Sequence, residues 1–232
     1  MENNSPKDKP IQAIKKSSKS IFREYAEAIF IALLLALFIR TFIIQAFKIP
    51  SGSMKNTLLI GDHILVSKFA YGIHIPNTIP FLNIKLFDDI IFFQKVPKHE
   101  DIIVFKYPKN ENRDFIKRVI GVPGDLLEVR QQKVYINEKL VLEEHARHTD
   151  APQKSRLVPR DDFGPILVPP GHLFMMGDNR ENSQDSRFWG FLEINKVKGK
   201  ALVIYWSWNS EDNSVFPGWG WVRFDRFGKI LR

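Results

Sequence analysis

The chain has 232 residues, enough for one sizeable core or two small ones, and its 44% hydrophobic and 26% charged residues are those of a globular, not a disordered, protein. It has no cysteine, which excludes disulfides, cysteine-ligated zinc and a cysteine nucleophile. The net charge of +8 does not point to nucleic acid: residues 1–23 carry Lys7, Lys9, Lys15, Lys16, Lys19 and Arg23 against Glu2 and Asp8, so half the surplus sits in a tenth of the chain, and no nucleic-acid-binding motif accompanies the rest.

Residues 1–20 are polar and lysine-rich and read as a flexible tail. Residues 21–47 are predominantly apolar and are predicted as a transmembrane helix. Its charge-free centre, residues 28–39, spans only about 18 Å at 1.5 Å per residue, against a bilayer core of roughly 30 Å. Arg40 and the run 41–47 bring it to bilayer length, with Arg40 snorkelling to the far interface or facing protein. The stretch is long and no A-x-A-like site follows it directly, which favours an uncleaved anchor over a cleaved secretory signal. The lysines before it place the N-terminus in the cytoplasm and residues 48–232 on the opposite side.

Beyond the anchor the pattern is that of short strands. Strands are expected at 63–68, 101–107, 115–120, 126–130, 133–136, 139–141, 173–178 and 201–208, separated by Gly, Pro, Asn and Asp turns, with 109–113 as a polar turn. Residues 72–99 hold Pro76, Pro80 and Pro97 among aromatics and read as an irregular loop region, with packed loops and an exposed apolar patch both open. Residues 143–165, charged and containing Pro152, Pro159 and Pro165, read as a surface excursion; His145 and His148 there lack the further ligands a metal site needs. The expected fold class is mainly β: one apolar helix, then an antiparallel β domain.

Ile49-Pro50-Ser51-Gly52-Ser53-Met54 stands where the chain leaves the anchor. A serine next to glycine can be exposed on a sharp bend, but it needs a base to become a nucleophile. Spacing picks out no Ser-His-Asp set among His63, His74, His99, His145, His148 and His172. Lys117 shares a strand face with Phe115 and Val119. On a buried face its amine would be desolvated and its pKa lowered enough to accept a serine proton; on an exposed edge strand it would be an ordinary lysine.

Four blocks in order resemble bacterial signal peptidase I, the Ser-Lys serine protease family that removes signal peptides. They are Ile49-Pro50-Ser51-Gly52-Ser53-Met54 with Thr57-Leu58 and Gly61-Asp62; Asp101-Ile102-Ile103-Val104-Phe105; Phe115-Ile116-Lys117-Arg118-Val119-Ile120-Gly121 with Pro123-Gly124-Asp125; and residues 177–187, from Gly177-Asp178-Asn179-Arg180 to Asp185-Ser186-Arg187, continuing to Trp189-Gly190. With the anchor, the similarity covers residues 22–232. The resemblance implies an antiparallel catalytic domain of signal-peptidase type and a membrane-bound endopeptidase cleaving after A-x-A-like sites. It implies Ser53 as nucleophile and Lys117 as general base, Ser51 as an oxyanion donor and Ser183 as the group that orients the lysine amine. Asp185 and Arg187 become a structural ion pair, and Ile49, Pro50, Met54, Phe115 and Ile116 become small apolar pockets for the −1 and −3 side chains. No metal or cofactor is implied. The implied partners are signal peptides of exported preproteins, membrane lipid and, by proximity, the secretion translocon, at a bacterial cytoplasmic membrane. Phe81, Trp206, Phe216, Trp219 and Trp221 form either a membrane-facing surface or ordinary core. Lys55-Asn56 departs from the family, which often has Met-Pro or a similar pair there. A non-catalytic membrane-anchored binding module of the same fold is the alternative from another class.

Overall fold

The computed structural model describes residues 18–75, 90–148, 162–209 and 221–231. The chain divides into two compact units, Met1–Ile39 and Arg40–Arg232.

In the first unit, α1 (Ser18–Phe38) is a run of good helix formers, exposed on every side from Ile21 onward. With the short π-helical turn Ile39–Ile43 that follows, it is long and apolar enough to cross a membrane over Ile21–Ile43. Those 23 residues extend about 34 Å at the helical rise. The apolar run expected to stay helical to Phe47 instead becomes β1 (Ile44–Lys48), paired antiparallel with β2 (Asp62–Ser67). A short, mostly apolar run carries no period that tells helix from strand, and pairing with the edge of β2 decides the matter.

The second unit is built on a seven-stranded antiparallel sheet. Its other strands are β5 (Ile102–Tyr107), β6 (Asn110–Gly121), β11 (His172–Met176), β12 (Leu192–Glu193) and β13 (Val197–Ser207), in the order β1-β2-β13-β5-β6-β11-β12. A second sheet has the order β10-β7-β8-β9, from β10 (Phe163–Leu167), β7 (Leu126–Arg130), β8 (Lys133–Ile136) and β9 (Lys139–Leu140). A small hairpin joins β3 (Ile73–Ile75) to β4 (Ile90–Phe92).

β5 is central and buried on both faces. Ile102 and Val104 enter one core with Ile49, Met54, Leu58, Ile64, Ala201 and Ile204, while Ile103 and Phe105 enter another with Val119, Leu173 and Met175. A third core, around Ile120, Leu127, Val129, Val134 and Phe174, lies between the two sheets.

Three further expectations change. Residues 110–113, expected in a turn, are the start of the twelve-residue β6, because Tyr107 pairs with Asn110 across a tight turn. The excursion expected over 143–165 ends early: Phe163–Leu167 returns as β10 and pairs with β7. Region 72–99 contains the β3–β4 hairpin. Pro76, Pro80, Phe81, Phe87, Pro152, Pro159, Phe216 and Trp219 lie outside the described residues. Of the described aromatics, Trp206 packs on Phe227 at 5.0 Å and Trp221 meets Trp208 edge-on at 5.6 Å, all near the surface.

Candidate active site

Ser53 sits in the connection between β1 and β2. The ladder continues one residue past β1: the Ile49 N–H donates to Asp62 O at 2.8 Å, and the Ile49 carbonyl accepts from the Gly61 N–H at 3.0 Å. Ser51 is extended, and Gly52–Met54 form one 3₁₀ turn in which the Lys55 N–H donates to Gly52 O at 3.0 Å. Met54 and Leu58 are fully buried and anchor this connection in the core. Arg226, from the C-terminal segment, holds its far end: it donates to both carboxylate oxygens of Asp62 (3.0 and 2.6 Å) and to Thr57 O at 2.9 Å. The connection is thus tied at both ends, and Ser53 is only 7% exposed.

Lys117 enters from β6. Its Nζ donates to Ser53 Oγ at 2.7 Å and to Ile116 O at 3.0 Å. The residue is 3% exposed, and its Nζ lies 5.2 Å from the centre of the Phe115 ring on the same strand face. Burial pushes the Lys117 amine down to about 8; the carboxylates of Asp185 and Asp178 oppose that shift by favouring the ammonium.

Residues 177–187 form the other wall. The Asn179 N–H donates to Ser53 O at 3.0 Å and its Nδ2 to Gly52 O at 3.0 Å, so one residue holds two successive carbonyls of the serine turn. Gly177 must be glycine for this approach: a Cβ there would lie 2.3 Å from Ser183 Oγ and 2.5 Å from Ser53 O. Asp185 takes Arg187 in a two-pronged pair (2.9 and 2.8 Å) and accepts the Gly177 N–H at 3.2 Å. It also caps the short helix α2 (Ser186–Trp189) by accepting the Arg187 N–H. Ser183 is buried beside Gly177, and its Oγ has no hydrogen-bond partner; the lysine's second bond goes to Ile116 O instead.

A cleft of about 850 Å³ opens over these groups. Residues 50–53, residues 113–117, Asn182, Ser183, Gln184 and Phe188 line it. Ser51, whose side chain makes no capping bond, is exposed at its edge. Of the five expected pocket residues, Pro50, Phe115 and Ile116 line the cleft. Ile49 and Met54 do not: one lies in the extended ladder, the other on the inner side of the turn, and both pack among Leu58, Ile64 and Ile116. Among the described residues no group of three or more histidines and acids is arranged to hold a metal ion.

Arg118, Asp178 and Thr57 lie in the family-like blocks, but nothing in the sequence assigns them a role. Arg118 donates to both oxygens of Asp178 (2.9 and 2.8 Å), and the Thr57 hydroxyl donates to the same carboxylate at 2.5 Å, all three buried. This pair ties β6 to both the serine connection and the 177–187 wall. A long cation next to Lys117 in an otherwise apolar strand was the available signal, since a buried arginine demands a carboxylate.

The chain matches a family model described as "Signal peptidase, peptidase S26" over residues 22–206. It is 35% identical to a signal peptidase I of Pseudomonas aeruginosa, over 93% of this chain and 82% of that protein. A signal peptidase I of Aquifex aeolicus is also 35% identical, over 80% and 84%. A solved structure of a signal peptidase I from Enterococcus faecalis is 32% identical over 46% of this chain and 97% of that one, with a TM-score of 0.39. With a buried lysine on a buried serine at its centre and these relatives around it, the chain belongs to the signal peptidase family, peptidase S26.

Proposed function

We propose that this signal peptidase works through Ser53 as nucleophile and Lys117 as general base. The observation that carries the reading is the 2.7 Å contact from Lys117 Nζ to Ser53 Oγ inside a site that lowers the lysine pKa. A neutral Lys117 takes the hydroxyl proton as Ser53 Oγ bonds to the scissile carbonyl carbon. The ammonium then gives that proton to the departing amine as the peptide C–N bond breaks. A water, deprotonated by the same lysine, releases the acyl group and regenerates the serine. Ser51 and Ser53 line the cleft, and in this reading the Ser51 hydroxyl and the Ser53 N–H are the donors for the oxyanion. Ser183, whose Oγ has no other hydrogen-bond partner, orients the amine once Lys117 has taken the proton. Asp185 and Arg187 hold the wall in place.

The substrate lies extended on β6. β11 pairs with β6 only from Arg118 to Gly121, so the cleft-side edge at 113–117 is open for strand addition. Pro50, Phe115 and Ile116 leave room there for small side chains at −1 and −3, which fits A-x-A-like sites. Residues 21–43 anchor the enzyme with its lysine-rich N-terminal side in the cytoplasm and its catalytic unit across a bacterial cytoplasmic membrane. Lipid and the emerging preprotein near the translocon are then its neighbours.

The test is cleavage of a purified preprotein bearing an A-x-A site, in detergent, by the parent, Ser53→Ala and Lys117→Ala. Cleavage after the −1 alanine by the parent, with both folded variants inert, is the expected result. An inert parent, or full activity in Lys117→Ala, overturns the reading.

A further inference from the structure

The surface excursion begins with a segment that touches both walls of the site from behind. At its start Glu143 forms a two-pronged ion pair with Arg180, at 2.6 and 2.5 Å, with both side chains almost completely buried. Arg180 in turn donates through Nε to Gly177 O at 3.2 Å, and its own carbonyl accepts from Arg187 at 2.7 Å. Four residues on, the Arg147 N–H donates to Asp178 O at 2.7 Å, and the Arg147 carbonyl accepts from the Arg180 N–H at 3.1 Å. The same segment reaches the serine side, where Asn56 Nδ2 donates to His145 O at 3.2 Å.

These contacts converge on a narrow place. Gly177 has no room for a methyl group between Ser183 Oγ and Ser53 O, and Asn179, two residues on, holds the Gly52 and Ser53 carbonyls. A shift of half an ångström in residues 177–180 therefore moves the serine turn directly. Arg118 and Thr57 hold the Asp178 carboxylate from β6 and the serine connection, and the strap at 143–148 holds the Asp178 carbonyl and the Arg180 guanidinium of the same wall.

We propose that Glu143 is a positioning residue: through Arg180 and Gly177 it sets the wall that holds Ser53, and the strap it begins clamps the Asn56 side of the same turn. This rests on the reading of Ser53 and Lys117 as the catalytic pair. Glu143 lines neither the cleft nor the substrate edge of β6, so its loss acts on the chemical step and not on substrate binding. Replacing the carboxylate by an amide leaves the buried Arg180 guanidinium with a poorer partner and frees the Gly177 turn to drift.

The experiment compares the full-length parent, Glu143→Gln and Asn56→Gly in detergent on one preprotein. Both are assayed well below their melting temperatures, so that a purely stabilising contact leaves kcat per folded molecule unchanged. Glycine at position 56 keeps the backbone at φ 110° unstrained while removing the bond to His145. The expected result for Glu143→Gln is a kcat lower by about 10- to 100-fold, the scale of a small misplacement of reacting groups, with KM unchanged. Asn56→Gly is expected to lower kcat severalfold, also at unchanged KM. Parental kcat in a folded Glu143→Gln with a lowered melting temperature, or an effect confined to KM, overturns the proposal. If Glu143→Gln does not fold, Asn56→Gly decides: a lowered kcat supports the proposal and a parental one overturns it. Ser53→Ala, run alongside, keeps the two readings apart. If Ser53→Ala cleaves, the catalytic pair is wrong; if it is inert while Glu143→Gln cleaves at the parental rate, only the role of Glu143 is.

Discussion

Lys117 and Arg118 are neighbours on one strand, and each is held by a different buried partner: Lys117 Nζ on Ser53 Oγ at 2.7 Å, Arg118 on the Asp178 carboxylate at 2.8 Å. One cation is left without a counter-ion in contact and is pushed towards neutrality. The other is paired with a carboxylate. Two basic residues side by side thus divide into a desolvated amine against a serine and a structural tie.

The first consequence is a pH profile. Lys117 carries a pKa of about 8 in the folded site, so kcat/KM rises with pH to a plateau above that value. At pH 7 about a tenth of the molecules hold the neutral amine. A rising limb centred near 6.5 would implicate a histidine instead, and one centred above 10 would mean a solvated lysine.

The same burial has a stability cost with a definite sign. Lys117 binds its proton with a pKa near 10.5 in the unfolded chain and about 8 in the fold. Below pH 8 both states are protonated and the fold bears the full cost of the buried ammonium, on the order of 3 kcal/mol. Between pH 8 and 10.5 the unfolded chain binds more protons, so this contribution to stability rises, and above that range the cost is gone. Lys117→Met is expected to be inert yet more stable than the parent at pH 7, with the difference shrinking by pH 10. Denaturant midpoints at the two pH values measure it; a variant less stable than the parent at pH 7 would contradict it.

Asp178→Asn breaks the other pair. It takes from the buried Arg118 its two-pronged carboxylate, leaving the half-exposed Glu100 carboxylate at 3.5 Å, and weakens the acceptor for the Thr57 hydroxyl. A loss of about 3–5 kcal/mol is expected, read as a lowered urea midpoint. Because Asp178 also favours the Lys117 ammonium, the kinetic limb moves to lower pH in whatever fraction stays folded.

Gly177→Ala tests the close approach. The added methyl meets the Ser53 carbonyl oxygen and Ser183 Oγ at distances no real Cβ contact shows, so the wall must move away from the serine. A kcat reduced by about 100-fold or more is expected, together with a destabilisation of about 1–3 kcal/mol. Parental kinetics in a folded variant would mean that the wall can retreat without disturbing Ser53.

Much of this was legible in the chain itself. The alternation of Phe115, Lys117 and Val119 put a lysine between apolar neighbours on one strand face but left its burial open, and the four family-like blocks singled it out as the base. The dense β-branched runs marked β2, β5, β7 and β8 nearly to the residue, because local periodicity and turn residues act over a few positions. Three things required the fold. Whether residues 44–48 stay helical depended on an open edge of β2 that the run itself does not contain. Which apolar residues face substrate depended on the turn at Ser53, which sends Ile49 and Met54 inward and leaves Pro50 at the cleft. The ties Arg118–Asp178, Arg226–Asp62 and Glu143–Arg180 join residues separated by 60, 164 and 37 positions. The sequence thus determined which side chains could carry the chemistry; only the packing of distant strands decided how dry the lysine is and what holds the serine against it. Desolvation and ion pairing depend on what surrounds a group in space, and no local pattern encodes that.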